Sequence, residues 1–250
     1  MERKINKRQW LLLRGLTRGQ YHWVDFPKRL QQQYPEDEVI LIDLPGNGYR
    51  NEEDSPLFIS EYTEDLRSKL DNKGNLYIFA LSFGAMVVLD WLNKYPGEIQ
   101  KAFLVNTSVK GLTPFYKRLL PANYISILKA IFASKYQREK KILEITCNNL
   151  QSLEVNLLNF ERHAEQYPFK VENLFRQLIA SVSFKLPVNL PNQKIELFLS
   201  QNDRLVSCEN TYAIANFLGL VPTVHPWAGH DMILDDTAFV LQKIHEKVES

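Results

Sequence analysis

A chain of 250 residues with 45% hydrophobic and 24% charged content can bury one large core, enough for an α/β domain with an insertion or for two small domains. Its net charge of +1 gives neither the field of a general nucleic-acid binder nor that of a membrane-surface protein. The two cysteines, Cys147 and Cys208, lack metal-ligand spacing and are expected as reduced thiols.

The basic start, Met1 to Trp10, leads only to Leu11-Leu12-Leu13 before Arg14, too short for the apolar region of a secretory signal. No run reaches the length of a bilayer span, so the expected location is cytoplasmic. Gln9 to Leu13 reads as a buried strand, followed by a loop with two glycines, Gly15 and Gly19. A helix is expected from about His22 to Gln33, with Trp23, Phe26 and Leu30 on one face. Val39 to Leu44 is the second strand, closed by the turn Pro45-Gly46-Asn47-Gly48, and Ile59 to Leu70 the next amphipathic helix.

Leu76 to Leu81 is an unbroken apolar run, as expected of a strand covered on both faces, and Ala85 to Leu92 continues as a helix. Ala102 to Val105 is a further strand. From Val109 to Leu190 the pattern turns helical and aromatic, without a clear strand. Lys194 to Leu199 restores the strand pattern, followed by a helix from about Asn210 to Phe217. A last strand near Pro222 to Pro226 and a helix from about Thr237 to Val248 complete the chain. The alternation predicts an α/β fold: a doubly wound, mainly parallel sheet of about six strands, with 1–108 and 191–250 as the core and 109–190 as a helical cap.

Three residues then fall just beyond the ends of three strands, where such sheets place their chemistry: Ser82, Asp203 and His230. Ser82 sits in Ala80-Leu81-Ser82-Phe83-Gly84, between strand and helix. Small residues two before and two after let strand and helix pack closely while the hydroxyl stands clear at the helix N-terminus. A serine hydroxyl needs a base, which His230 can supply, and Asp203 can orient the imidazole and stabilise its charge. His22, His163 and His245 fall in predicted helices and His225 in the last strand, as surface or core residues. Asp43 reads as a turn brace, and Asp231, Asp235 and Asp236 as the start of the last helix. No histidine and carboxylate cluster has metal-ligand spacing, and neither metal nor cofactor is expected.

The order Ser82, Asp203, His230 resembles the α/β-hydrolase superfamily, in its branch of small capped serine esterases and thioesterases, such as carboxylesterases of the pimeloyl-carrier methyl ester esterase type. Asp43-Leu44-Pro45-Gly46-Asn47-Gly48 and Ala228-Gly229-His230 resemble two further motifs of that family. The resemblance implies a nucleophile at Ser82, an acid at Asp203, a base at His230 and an oxyanion hole from the backbone N–H groups of Leu16 and Phe83. The chain departs from the pattern in two ways: Arg14 stands where the family usually has His, and the first two family strands are expected to be missing.

The resemblance also implies hydrolysis of an ester or thioester through an acyl-enzyme. A lyase or acyltransferase using the same three residues, or a non-catalytic binding protein of the same fold, remains as an alternative. Phe115, Tyr116, Tyr124, Ile125, Ile131, Phe132 and Phe160 suit an apolar acyl substrate, though no more than a third are assigned to the pocket and the rest to packing. Eight basic residues, Lys110, Lys117, Arg118, Lys129, Lys135, Arg138, Lys140 and Lys141, face only Glu139 and Glu144 between Lys110 and Glu144. They read either as a solvated surface or as a docking strip for an acyl carrier protein or coenzyme A.

Overall fold

The computed structural model describes residues 7–71 and 75–249; the first six residues of the basic start lie outside them. Six strands form one sheet: β1 (Gln9–Leu13), β2 (Glu38–Leu41), β3 (Leu76–Leu81), β4 (Ile99–Val105), β5 (Ile195–Ser200) and β6 (Thr223–His225), in the order β2-β1-β3-β4-β5-β6. Every pairing is parallel. The two-residue period of the strands divides the core. Leu11, Leu13, Ile78, Ala80 and Leu104 point to one face, and Trp10, Leu12, Phe79, Phe103 and Phe198 to the other.

Helices α2 (Ile59–Ser68), α3 (Phe83–Lys94) and α9 (Glu209–Leu218) cover the first face, and α1 (Phe26–Gln33) and α10 (Met232–Val248) the second. Between β4 and β5 lie α4 (Phe115–Arg118), α5 (Tyr124–Phe132), α6 (Lys135–Thr146), α7 (Leu150–Gln166) and α8 (Val171–Ser183). They add no strand to the sheet.

Several boundaries differ from the sequence expectation. The helix expected from His22 is broken: Gln20–Trp23 is a 3-10 turn, Val24 has φ 52°, and α1 begins at Phe26. Pro27 explains the break, because inside a continuous helix its ring would clash with the carbonyl of Trp23. The second strand stops at Leu41, because Asp43 turns to accept the backbone N–H groups of Gln20 (2.5 Å) and Tyr49 (2.8 Å), bracing two turns. The last helix begins at Met232, with a non-helical Asp236 (φ −152°, ψ 76°) separating its first turn from the expected helix. No helix among the described residues is long and apolar enough to cross a membrane.

Candidate active site

Ser82 joins β3 directly to α3 at φ 55° and ψ −111°. For a residue with a side chain such a conformation costs about 1–3 kcal/mol and persists only where the surroundings fix it. They do so here: the Ser82 N–H donates to the Val105 carbonyl (2.8 Å), and the Thr107 hydroxyl donates to the Ser82 carbonyl (2.9 Å). Gly84 allows α3 to start this close to β1, since a Cβ there would lie 2.7 Å from the Arg14 carbonyl oxygen.

His230 and Asp203 are in contact. His230 Nδ1 lies 2.7 Å from Asp203 Oδ2, and the other Asp203 oxygen accepts the N–H groups of Leu205 (2.8 Å) and Val206 (2.9 Å). Both side chains are buried. An acceptor held on both oxygens keeps the imidazole in one orientation, with Nδ1 as donor and Nε2 free to accept. The loop carrying His230 is itself tied down. Asn106 Nδ2 donates to the His230 carbonyl (2.8 Å), the Asp231 N–H donates to Thr146 (2.9 Å), and Asp235 accepts the Gly229 N–H (2.6 Å). Gly229 is required for this contact, because a Cβ would come within 2.5 Å of the Thr146 carbonyl oxygen.

Leu16 and Phe83 line one chamber together with Ser82. The Phe83 N–H opens α3 and so has no intrahelical acceptor, and none is bonded to that of Leu16 among the described residues. The neighbouring Thr17, at φ 58°, donates its N–H to Gln177 Oε1 on α8 (3.0 Å). Gln177 Nε2 in turn donates to Asn47 Oδ1 (2.7 Å) and Ser55 Oγ (2.9 Å), so one buried amide fixes the Leu16–Thr17 loop.

Arg14 is enclosed, its guanidinium making two hydrogen bonds to the carboxylate of Asp231, beside His230, and lying 4.7 Å above the Trp23 ring. The loop that departs from the family pattern is thus braced by an ion pair. Asp231 starts the last helix, as expected, and has this second task. Arg18 forms another buried pair, 2.5 Å from Glu139 on α6, with His22 Nε2 2.8 Å from the same guanidinium. Burial and the adjacent Arg18 push His22 down to about 3, keeping it neutral. Burial pushes Glu139 up, but Arg18 and His22 outweigh it and hold the carboxyl at about 2.

Two apolar chambers meet at Ser82, sharing Leu16, Leu119, Leu178 and Leu205. One, of about 180 Å³, also contains His230, with Ile127, Ile131, Ile142 and Phe169 in its wall; the other, of about 410 Å³, contains Phe83, Met86, Phe115 and Tyr124. Ser82 and His230 face the first chamber without a hydrogen bond between them, a gap common before substrate binds. Three of the seven apolar residues singled out, Phe115, Tyr124 and Ile131, line a chamber, more than the third allotted. Phe160, on α7, packs in a cluster with Leu143 of α6 and Leu234 of α10, while Tyr116, Ile125 and Phe132 are exposed.

The basic strip is not one solvated face. Arg118 and Arg138 line the chambers, Lys117 pairs with Glu209, and Lys141 lies 2.6 Å from Glu144. The sequence reading missed Gln177, Asn106 and Glu139, whose partners lie 94 to 160 residues away along the chain. The only signal for Asn106 was its place at the end of a buried strand.

No family model matches the chain, and no curated protein does. Solved structures do. An enol-lactonase from Burkholderia xenovorans LB400 superposes with a TM-score of 0.76 at 14% identity, over 100% of this chain and 94% of that one. A 2-hydroxy-6-oxo-6-phenylhexa-2,4-dienoate hydrolase from Rhodococcus sp. strain RHA1 gives 0.76 at 16% identity, over 98% and 91%. An esterase from Rhodococcus sp. ECU1013 gives 0.73 at 13% identity, over 98% and 91%. The fold these enzymes share with the chain is that of the α/β-hydrolases.

Proposed function

From an α/β-hydrolase fold with this constellation at its sheet edge, we propose that the protein is a serine hydrolase. It would cleave a carboxylic ester or thioester of an apolar acyl group, with residues 109–190 as the cap that shapes the pocket. The observation that carries the reading is the 2.7 Å contact of His230 with Asp203, in which the imidazole shares one chamber with Ser82 and Leu16.

In this mechanism Ser82 Oγ attacks the acyl carbon while His230 Nε2 takes its proton. The carbonyl π electrons move to oxygen, where the N–H groups of Leu16 and Phe83 stabilise the charge; one such donor is worth about 3–4 kcal/mol. Collapse expels the alcohol or thiol, protonated by His230, and water then repeats the sequence to release the acid. Asp203 holds the imidazole and stabilises its positive charge throughout. We place the reaction in the cytoplasm, with an acyl carrier protein or coenzyme A as the carrier the basic strip would attract. A carrier-linked substrate should then be turned over faster than the free ester, and equal rates would remove the carrier from the reading.

The decisive test of the nucleophile is intact mass after treatment with a fluorophosphonate. One adduct on the parent protein, absent from Ser82→Ala and His230→Ala, is the expected result. A folded parent that forms no adduct, or an adduct that persists in Ser82→Ala, overturns the assignment.

A further inference from the structure

The larger chamber beside Ser82 has two cationic residues in its wall, Arg118 and Lys110, and no Asp or Glu. Arg118 differs from Arg14 and Arg18 nearby, and among the described residues it shares with Arg138, whose guanidinium lies 4.4 Å from the Phe169 ring centroid, the lack of a carboxylate partner. In the smaller chamber Arg14 and Arg18 each hold a carboxylate, from Asp231 and Glu139, and Arg138 turns Nε to the Ala130 carbonyl (3.1 Å) and Nη2 to those of Ile131 (3.2 Å) and Ala133 (3.4 Å). Arg118 donates from Nε to Ser108 Oγ (3.2 Å) and from Nη2 to the Ser181 carbonyl (2.7 Å). Its Nη1 has no hydrogen-bond acceptor, and no carboxylate forms an ion pair with it, among the described residues.

These contacts fix the guanidinium in the wall of the chamber that opens beside Ser82. Ser108 follows Thr107, whose hydroxyl holds the Ser82 carbonyl, so Arg118 is tethered one residue from the brace of the serine. A guanidinium held by two of its donors loses little further entropy on binding, and its planar fork suits a two-oxygen anion. Burial weakens its hold on the proton, with no acid to offset this. A half-buried cation without a counter-ion is costly, and an anionic ligand would relieve that cost. Much of the rest of the wall, including Met86, Leu178 and Val206, is apolar, with the hydroxyl residues Ser108, Thr113 and Ser181 beside Arg118 and Lys110 in the lining.

We propose that this chamber is an anion subsite, in which Arg118 receives a carboxylate or phosphate group carried at the far end of the substrate from the bond cleaved at Ser82. Lys110 at the wall adds to the field that draws such a group in. The substrate class is therefore an ester or thioester with an apolar chain and an anionic terminus. This rests on Ser82 as nucleophile, and the experiment separates the two claims.

Wild type, Arg118→Gln and Arg118→Lys are assayed on p-nitrophenyl pentanoate and on the mono-p-nitrophenyl ester of glutarate, which match in chain length and differ in a terminal carboxylate. In Arg118→Gln the KM for the glutarate ester should rise roughly ten- to a hundredfold, the worth of a charge-assisted hydrogen bond, and the pentanoate KM should stay within about twofold. Arg118→Lys should recover part of the loss. An equal loss on both esters would mark a structural role and overturn the proposal. A second arm needs no turnover: calorimetric binding of hexanoate, hexyl phosphate and hexanol to Ser82→Ala and to Ser82→Ala/Arg118→Gln. Both anions should weaken when Arg118 is removed while hexanol does not, and the tighter anion identifies the terminus as carboxylate or phosphate. Anions that bind no better than hexanol, or that bind equally well without Arg118, overturn the subsite. If neither ester is cleaved but anion binding still depends on Arg118, the reading of Ser82 fails and the subsite stands.

Discussion

At the sheet edge Leu11, Leu13, Phe79, Phe103 and Val105 are fully enclosed, and the loops beyond them approach so closely that Gly84 and Gly229 have no room for a side chain. The helices between β4 and β5 are built differently. On α5, Ile125, Leu128 and Phe132 stand in solvent, Phe132 with 83% of its surface exposed. Besides the apolar packing of Ala180 in the core and of Leu143, Leu157 and Phe160 with Leu234, those helices are joined to the core by discrete polar contacts: Gln177 to the Leu16–Thr17 loop, Glu139 to Arg18, and the backbone of Asn148 and Asn149 to Asp235. Apolar packing is non-directional and resists local change. A polar joint can be altered at one residue. The residues proposed for chemistry lie on the rigid side of this boundary, and most of the residues that shape the chambers lie on the adjustable side.

The contrast breaks most sharply if the sheet-edge residues turn out to be dispensable. Asp203→Asn keeps the shape but offers an amide where His230 Nδ1 needs an acceptor, and turnover should fall about ten-thousandfold. Leu205 and Val206 can still donate to the remaining oxygen, so the melting temperature should move by only a few degrees. Ester turnover and thermal unfolding of the same preparation check both statements. Near-normal turnover would show that His230 is oriented by something else.

The joint between α6 and the core should yield in stability rather than chemistry. Glu139→Ala leaves Arg18 buried without its partner, and breaking such a pair costs about 3–5 kcal/mol in urea unfolding. Arg18→Met with Glu139→Leu should recover much of this, because replacing both charges removes the orphan. The same cluster sets an acid limit. His22 ordinarily titrates at 6.5 and Glu139 at 4.5, and folding lowers them to about 3 and about 2. The unfolded chain therefore binds more protons over both windows, and stability rises with pH through them. The stabilisation is complete above about pH 6.5, begins to fall as His22 protonates in the unfolded chain, and falls further below 4.5. His22→Asn should flatten the upper part of that slope, and an unchanged slope would place the acid sensitivity elsewhere.

What could be read from the sequence follows the same boundary. Leu76 to Leu81, the turn at Ser82 and the helix after it are encoded by neighbours in sequence, so period and residue size suffice to find them. The pairing of Asp203 with His230 could be anticipated because each follows its strand within a few positions. The broken first helix was also legible, since Pro27 forbids a continuous one, but the apolar spacing of Trp23, Phe26 and Leu30 obscured it. Gln177 and Thr17 are 160 residues apart and Arg18 and Glu139 are 121 apart, and no local pattern records such contacts. Arg118 read as one member of a charged strip; only the folded chain separates it from lysines in solvent.

The smallest expected effect tests the outer face of α5. Phe132→Ser and Ile125→Ser remove side chains that contact mainly water, and each should change the unfolding free energy by less than about 0.5 kcal/mol. Phe160→Ala, on α7 and only 2% exposed, should cost about 3–5 kcal/mol. The pair calibrates the comparison within one region, because both positions belong to the segment between β4 and β5. If Phe132→Ser proves as costly as Phe160→Ala, its ring is covered in solution. Repeating the unfolding at several protein concentrations then identifies the cover, since burial against a second copy makes stability rise with concentration and burial within one chain does not.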